Sequence, residues 1–328
     1  MIIHLSHNDL DGITSILLSR QFNIRHYFPC SYDKSTKTYF LNIMNYFISK
    51  YGSKITHIII TDINLSKEML TYLDNSMNSI NPSYKCLYID HHSNTIKDLI
   101  ETKTNYTCVI NKDYSATKLY ADMLSSINDE RIFKYKDLIN AVDGWDMWDF
   151  SRSPFSLDLQ RAFYYHVFSR NTYEKFHERL YSFIKLLEKD PPTNDYKPNW
   201  YNKLLDLYHI AYQYTIDKAM EHVYNVDNIY CLEFFNEMKY IPAFEITLRL
   251  QQMNPNIKYF IYAFESNNDH IKISLRTNNS NNSTLNLSSI AEVYGGSGHE
   301  DAASFVILKS DFRLTLEKII KELVSTNV

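Results

Sequence analysis

The sequence predicts an α/β protein with a parallel sheet in its first 150 residues. Two short runs, 57–61 (HIIIT) and 86–89 (CLYI), are continuously apolar, which is typical of strands buried on both faces. Segments with helical spacing of apolar residues lie between such runs. This order of strand, helix and strand favours a parallel sheet covered by helices on both sides.

The other elements follow in chain order. Residues 1–5 are predicted to form the first buried strand, and 12–20 the helix after it. From about 151 to 225 the pattern becomes helical and aromatic. It includes one helical face of apolar residues: Phe176, Leu180, Phe183, Ile184 and Leu187. A second helix is predicted over 201–221. Such faces are more typical of packing than of ligand binding, so no chemistry is assigned to them.

Strand patterns return after about residue 226. They cover 259–264, 271–275 and 304–308, and a polar loop occupies 278–283. We therefore predict three parts of the chain. They are a parallel-sheet domain over 1–150, a helical linker or insertion over 151–225 and a smaller α/β domain over 226–328.

The composition excludes several classes of protein. Of 328 residues, 45% are hydrophobic and 22% are charged, as in ordinary globular domains. The net charge of −4 gives no general attraction for long duplex nucleic acid. The four cysteines form no C-x-x-C pair, and no apolar run reaches the ~18 residues of a membrane span. These observations favour a cytoplasmic protein with reduced thiols that holds polyanions only at a local site.

Four clusters of acidic residues and histidines occur where a parallel sheet places its ligand site, at the carboxyl ends of strands. They are 7–12 (HNDLDG), Asp62, 90–92 (DHH) and Asp143 with Asp146. A lone aspartate after a strand is more often a helix cap or turn residue, and a histidine pair is more often a surface feature. Only the combination carries weight, because four such strand ends bring like charges into one crevice.

Cations are the simplest way to neutralise such a crevice, because buried like charges destabilise the folded state. Carboxylates and imidazoles without thiolates favour Mn²⁺ or Mg²⁺ over a structural zinc ion. Two such ions about 3.5–4 Å apart activate water for in-line attack on phosphorus. The clusters therefore predict a two-metal phosphoesterase site.

A glycine-rich stretch lies far downstream at 295–299 (GGSGH) and holds three of the six glycines. Glycines let a backbone approach a ligand closely and direct N–H groups at an anion, although a glycine turn alone is weak support. Together with an arginine, the stretch is predicted to bind a nucleotide phosphate. The candidate substrate-binding residues are Arg276, Gly295, Gly296, Ser297, Gly298 and His299.

Together these motifs resemble the DHH phosphoesterase superfamily, and within it the nano-RNase (oligoribonuclease) branch. The segment 7–12 resembles the first motif of the family, Thr61-Asp62 the second, 90–92 the third and Asp143 the fourth. The carboxyl-terminal part resembles the DHH-associated domain at 274–276 (SLR), 290–291 and 296–303. The family fold implies an active site in the cleft between the two domains.

The resemblance implies two bound Mn²⁺ ions, with Mg²⁺ as the alternative. The implied ligands are His7 and Asp9 for the first ion, Asp11, His91 and Asp143 for the second, and Asp62 bridging the two. The implied catalytic residues are Asp62, His92 and Asp90. In this scheme His92 contacts the scissile phosphate, and Asp90 orients a neighbouring imidazole.

Some features depart from the family pattern. Ser297 interrupts the usual glycine run before the histidine, and Ser304 stands where a glycine often follows two alanines, which affects the expected substrate pocket rather than the metals. Asp143 and Asp146 compete for the fourth-motif position, and Asp143 is preferred. The segment 151–225 matches no motif and is expected to shape the cleft or a dimer contact.

The expected function is 3′-to-5′ exonuclease action on oligoribonucleotides of a few residues, with release of 5′-mononucleotides. The same chemistry on linear or cyclic dinucleotides, or on 3′-phosphoadenosine phosphate, stays open, as does a metal-free binding protein of the same fold. The expected partners are a short oligonucleotide or dinucleotide and, as a further option, a second copy of the chain. Neither a membrane nor a long duplex is expected as a partner.

Overall fold

A five-stranded parallel sheet organises the amino-terminal part of the chain. Its strands are β1 (Ile2–His7), β2 (His26–Cys30), β3 (His57–Thr61), β4 (Lys85–Asp90) and β5 (Tyr106–Ile110). They are ordered β2-β1-β3-β4-β5, and each pairs with its neighbours in parallel. The predicted parallel sheet is confirmed. From β1 the chain first adds β2 on one side and then adds β3 on the other side of β1. Open α/β sheets bind ligands at such a point, here between β1 and β3.

The computed structural model describes residues 1–30, 36–92, 97–168, 175–234, 243–267, 269–278 and 285–325. These residues divide into two units, Met1–Asp206 and Leu207–Val328. The first unit contains the parallel sheet, and the second contains a separate mixed sheet. Among the described residues, no helix combines the length and apolar character that crossing a membrane requires.

Helices cover both faces of the parallel sheet. They are α1 (Leu10–Gln21), α2 (Thr36–Tyr51), α3 (Lys67–Ile80), α4 (Lys97–Glu101), α5 (Ala116–Phe133), α6 (Lys136–Asp146), α7 (Ser156–Phe168) and α8 (Phe176–Lys189). One buried cluster joins the sheet to α1 and to α5 through α8, and another joins it to α2 and α3. Apolar burial on both faces explains why the strands read as continuous apolar runs.

The helices α7 and α8 pack in the first unit. On α8, the predicted apolar face is buried at Leu180, Phe183, Ile184 and Leu187, and these side chains share a cluster with α1. The sequence predicts a linker over 151–225, whereas the division between the two units falls after Asp206. It lies within α9 (Asn199–Met220).

The second unit is built on a six-stranded mixed sheet. Its strands are β6 (Val223–Val226), β7 (Ile229–Phe234), β8 (Tyr259–Asn267), β9 (His270–Thr277), β10 (Ser297–Gly298) and β11 (Ala302–Leu308), in the order β10-β11-β9-β8-β7-β6. Only β7 and β8 pair in parallel among these described strands. Its helices are α10 (Ala243–Met253), α11 (Leu287–Val293) and α12 (Phe312–Ser325). Of the polar loop predicted at 278–283, residues 279–283 lie outside the described residues.

Candidate functional site

The carboxyl ends of β1 and β3 bring a histidine and two aspartates together. His7 ends β1, and its Nδ1 lies 2.7 Å from Oδ2 of Asp9 and 3.6 Å from Oδ2 of Asp62. Asp62 directly follows β3, which pairs with β1 so that Ser6 lies opposite Thr61. The three side chains offer ligand atoms within 4.8 Å of one another. We call them the first group.

The start of α1 places its aspartates beside the sheet. Asp9 caps the helix, because its Oδ1 accepts a hydrogen bond from the Gly12 N–H at 2.9 Å. A Cβ on Gly12 would lie 2.1 Å from the carbonyl oxygen of His7. Glycine at this position therefore lets α1 begin directly against the end of β1.

A second group forms around His91, which follows β4. Its Nε2 lies 3.2 Å from Oδ2 of Asp146, 3.3 Å from Oδ1 of Asp62 and 4.0 Å from Oδ2 of Asp11. The ligand atoms of Asp11, His91 and Asp146 lie within 4.8 Å of one another, and we call these residues the second group. Asp62 therefore directs one carboxylate oxygen at each group, since Oδ2 lies near His7 and Oδ1 near His91.

The backbone of Asp62 has a left-handed conformation, with φ of +56°. A non-glycine residue in this region costs of order 1–3 kcal/mol, and aspartate tolerates it better than most side chains. The Asp62 N–H donates to the carbonyl oxygen of Ile89 at the end of β4, over 3.0 Å. This bond ties the end of β3 to the strand that carries the histidine pair.

A buried polar network holds the residue before Asp62. The Thr61 hydroxyl lies 2.8 Å from Nε2 of His4 and 2.7 Å from the Ser6 hydroxyl. The other ring nitrogen of His4, Nδ1, lies 2.8 Å from the hydroxyl of Ser19, which also contacts Tyr120 at 2.7 Å. Burial lowers the pKa of His4 to about 3, so the imidazole is neutral at physiological pH. The network links β1, β3, α1 and α5 beneath the site.

Asp90 fixes the orientation of the neighbouring imidazole of His92. Its Oδ1 lies 2.7 Å from Nδ1 of His92 and accepts from the His91 N–H at 2.9 Å, and its Oδ2 accepts from the Tyr88 hydroxyl at 2.7 Å. Burial alone raises the pKa of Asp90, but the charges of His92 and His91 outweigh it and lower the pKa below its usual value. The Asp90 carboxylate therefore stays ionised next to His92.

Helix α5 supports Asp11 from the opposite side. The two carboxylate oxygens of Asp11 accept from the N–H groups of Ala116 (2.9 Å) and Thr117 (2.8 Å), at the first turn of α5. A helix amino terminus favours an anion, because its N–H groups lack partners within the helix. These two backbone hydrogen bonds hold the Asp11 carboxylate in place next to His91.

The charge balance of the two groups fits a cation site. Burial, together with the charges of Asp9 and Asp11, raises the pKa of Asp62 well above its usual value. Burial also raises the pKa of Asp146, and the charges of Asp11 and Asp62 add to the shift despite the opposing charge of His91. Ionised carboxylates at this density require compensation by positive charge. The donor set of carboxylates and imidazoles suits a divalent cation such as Mn²⁺ or Mg²⁺.

Asp143, the residue that the sequence favours as the fourth-motif ligand, is engaged elsewhere. Its Oδ1 accepts from the Ser115 N–H at 2.7 Å, and its Oδ2 forms an ion pair with Nη1 of Arg152 at 2.5 Å. Asp146, three residues later on α6, is the one that reaches His91. The structure therefore brings Asp146 rather than Asp143 into the second group, because the Asp143 carboxylate already serves the loop after α6.

The substrate-binding candidates lie in the second unit. On β9, Arg276 donates from Nη1 to the carbonyl oxygen of Leu275 at 2.8 Å. The glycine stretch includes β10, which pairs with β11, and a Cβ on Gly296 or Gly298 would lie 2.2–2.3 Å from a carbonyl oxygen of β11. Close packing against β11 therefore accounts for these two glycines. A role in substrate binding for Arg276 and for 295–299 stays a prediction.

Sequence reasoning missed the supports of the site. The network around His4 leaves one signal, a histidine inside an otherwise apolar strand. Arg152 leaves a weaker signal, because nothing in the sequence shows that it pairs with Asp143. Both residues act through contacts between segments, for which a single sequence carries little information.

Comparison with known proteins finds similarity to a curated protein and to solved structures. The curated relative is a 3′,5′-cyclic-nucleotide phosphodiesterase from Helicobacter pylori, 28% identical over 155 residues that make up 44% of each protein. The match thus spans less than half of that relative. No protein-family model matches the chain.

Among solved structures, the pGpG-specific phosphodiesterase PggH from Vibrio cholerae has a TM-score of 0.60 at 15% identity. The likeness covers 99% of this chain and 100% of that protein. It shows a common fold. An uncharacterized protein from Helicobacter pylori G27 has a TM-score of 0.39 at 18% identity over 98% of each chain, which is too low for a structural conclusion.

Replacing Thr61 with valine tests the network under the site. The change removes the hydroxyl that contacts His4 and Ser6 and keeps the size of the side chain. We expect the free energy of unfolding to fall by about 1–3 kcal/mol, because buried polar groups lose a partner. Denaturant unfolding measures it. In the control Thr71→Val, an exposed hydroxyl that bonds to Lys67 is lost, and a change below ~0.5 kcal/mol is expected. Equal losses in both variants would contradict the network's role.

Proposed function

We propose that this protein is a divalent-metal-dependent phosphodiesterase that hydrolyses linear dinucleotides and short oligoribonucleotides to 5′-mononucleotides. The observation that carries the proposal is the position of Asp62. Its two carboxylate oxygens lie 3.6 Å from His7 and 3.3 Å from His91, in two separate groups of imidazole and carboxylate ligands. A carboxylate placed between two such groups would be able to bind both members of a pair of cations.

The proposed ligands follow from the two groups. His7, Asp9 and Asp62 would hold one cation, and Asp11, His91, Asp146 and Asp62 would hold the other. When bound, such cations supply Lewis-acid stabilisation of the charge that develops on the phosphate and lower the pKa of a water molecule. The supporting contacts to Asp11 and Asp62 keep the ligands in position, which is the usual role of residues around a metal site.

We assign the contact with the scissile phosphate to His92. The Asp90 carboxylate lies 2.7 Å from Nδ1 of the ring and fixes its orientation. His92 would donate a hydrogen bond to a phosphate oxygen and supply a proton to the leaving oxygen. Asp90 acts through His92 and is therefore a positioning residue in this scheme.

The choice of a small nucleotide substrate rests on three findings. The fold is that of a phosphodiesterase named as specific for pGpG, and the local sequence match is to a cyclic-nucleotide phosphodiesterase. The net charge of −4 gives no general attraction for long duplexes. Cyclic 3′,5′-nucleotides are the second candidate substrate, because the curated match covers 155 residues and its printed name specifies them.

Product analysis tests the proposal directly. The protein is incubated with Mn²⁺ and end-labelled RNAs of two to about twenty nucleotides, linear and cyclic dinucleotides, 3′,5′-cyclic mononucleotides and 3′-phosphoadenosine phosphate. Release of 5′-mononucleotides, fastest from the shortest linear RNAs, is expected. Selective opening of a cyclic mononucleotide would support the second candidate instead. Absence of cleavage from every substrate would refute the proposed hydrolysis. Full activity in Asp62→Ala would refute the two-cation site.

Asp146 and Asp143 are expected to respond differently to substitution. Asp146→Asn should weaken Mn²⁺ binding and lower kcat by about 100-fold or more, because it removes a proposed ligand. Asp143→Asn should leave Mn²⁺ affinity within about three-fold and lower the free energy of unfolding by roughly 3 kcal/mol, because Arg152 loses its buried partner. Calorimetric Mn²⁺ titration, steady-state kinetics and denaturant unfolding measure these effects. The reverse pattern would restore Asp143 as the ligand.

The effect of Mn²⁺ on stability is expected to depend on pH. Cations bind the ionised carboxylates, and the raised pKa of Asp62 and of Asp146 lets protons compete at higher pH than at exposed aspartates. The rise in Tm caused by Mn²⁺ should therefore be larger at about pH 8 than at about pH 6. Thermal unfolding with Mn²⁺ and with EDTA at each pH measures this rise in Tm. Groups that do not bind Mn²⁺ titrate equally in both samples, so their effect cancels when the two Tm values are subtracted. A larger rise at the lower pH would contradict the assignment.

A further inference from the structure

The helix that carries Asp146 ends in an unusual way. The Asp149 N–H donates to the carbonyl oxygen of Gly144 at 2.8 Å, and the Trp148 N–H donates to that of Trp145 at 3.0 Å. These are the two hydrogen bonds of a Schellman motif, in which one residue takes the left-handed conformation. That residue is Trp148, with φ of +54°. Glycine is usual at this position, because a Cβ is crowded there.

A tryptophan at such a position is an outlier that points to a role for its ring, since strained residues of this kind concentrate at functional sites. Trp148 lies close in sequence to one member of the candidate metal cluster. Asp146, two residues before Trp148, lies 3.2 Å from His91. The strained segment and the cluster are therefore parts of one region of the first unit.

Three aromatic rings gather in this segment. The ring centroids of Trp145 and Trp148 are 5.1 Å apart, those of Trp148 and Phe150 5.3 Å, and those of Trp145 and Phe150 6.3 Å. Each of the three residues is partly exposed. Trp145 also packs against the buried cluster of α1 and α5 through α8. The trio is thus supported by the core on one side and reaches solvent on another.

Arg152 fixes the segment that carries the rings. Its Nε lies 3.0 Å from Oδ2 of Asp149, its Nη1 pairs with Asp143, and its Nη2 donates to the carbonyl oxygen of Asp113 at 3.0 Å. The contacts tie the loop both to α6 and to the segment before α5. Aromatic rings on a loop held in this way would lose little conformational entropy on binding a flat ligand.

We propose that Trp145, Trp148 and Phe150 form a stacking platform for the nucleobase of the nucleotide whose phosphodiester lies at the metal cluster. This proposal rests on the proposed function and adds a base-binding site to it. Aromatic rings stack on every base, so the platform selects nucleotides over simple phosphodiesters without reading their sequence. Removal of an aromatic side chain that stacks on a base typically weakens binding by about 5- to 100-fold.

Trp148→Gly is the sharpest variant, because it removes the ring and gives the left-handed position its preferred residue. The variant is therefore expected to fold with close to wild-type stability. Asp227→Gly is a matched control, since Asp227 also has a left-handed backbone (φ +54°) and is exposed in the turn between β6 and β7. Phe150→Leu, which keeps an apolar side chain, serves as a second variant.

Calorimetric titration with 5′-GMP and with ribose 5-phosphate, in the presence of Mn²⁺, separates the base from the phosphate. In Trp148→Gly we expect affinity for 5′-GMP to fall at least about 10-fold, with affinity for ribose 5-phosphate within about two-fold of wild type. Phe150→Leu should show a smaller loss of the same kind, and Asp227→Gly none. In kinetics on linear diguanylate, the KM of Trp148→Gly should rise about 10-fold with kcat within about three-fold.

Unchanged 5′-GMP affinity in Trp148→Gly would overturn the proposal. Equal losses of affinity for 5′-GMP and for ribose 5-phosphate would also overturn it, because the ring would then not contact the base. These binding results do not depend on turnover. If ring-dependent binding of 5′-GMP were found without hydrolysis of any phosphodiester, the platform would stand and the proposed function would fail.

Discussion

The constraint on which the rest of the site depends is the crowding of buried carboxylates at the carboxyl edge of the parallel sheet. Burial raises the pKa of Asp62 and of Asp146, so the ionised cluster is unfavourable on its own. Backbone N–H groups offset part of this cost at Asp11, and paired histidines offset part of it at Asp90. The proposed cations would offset the remainder and would thereby stabilise the folded protein.

The position of Asp62 between the two ligand groups depends on its backbone conformation, and hydrogen bonds from neighbouring elements hold that conformation. Asp62 has a left-handed conformation that costs free energy, and it is held by a hydrogen bond to the end of β4 and by the polar network around Thr61. A neutral His4 suits this place because it links two hydroxyl groups without adding charge. Buried hydrogen bonds thus stabilise a strained residue at the proposed reaction centre.

The end of α6 and the loop after it carry both Asp146, a proposed metal ligand, and the proposed base platform. Asp146 faces His91, whereas Asp143 holds Arg152, and Arg152 in turn fixes the loop that carries Trp148. Residues on one helix and its adjoining loop keep a fixed separation, which a site for both the phosphate and the base of one nucleotide would need. Asp143 thus holds the loop that carries the proposed platform, through Arg152, without joining the cluster.

The sequence by itself determined the parallel sheet, the positions of β1, β3 and β4, and the clustering of His7, Asp62 and 90–92. Apolar periodicity and the residues that follow a strand are local features, and parallel strands place their carboxyl ends at one edge. Only the tertiary structure shows that Asp146 approaches His91 and that Asp143 pairs with Arg152. The two aspartates lie three residues apart on one helix, and the choice depends on where His91 and Arg152 lie after folding.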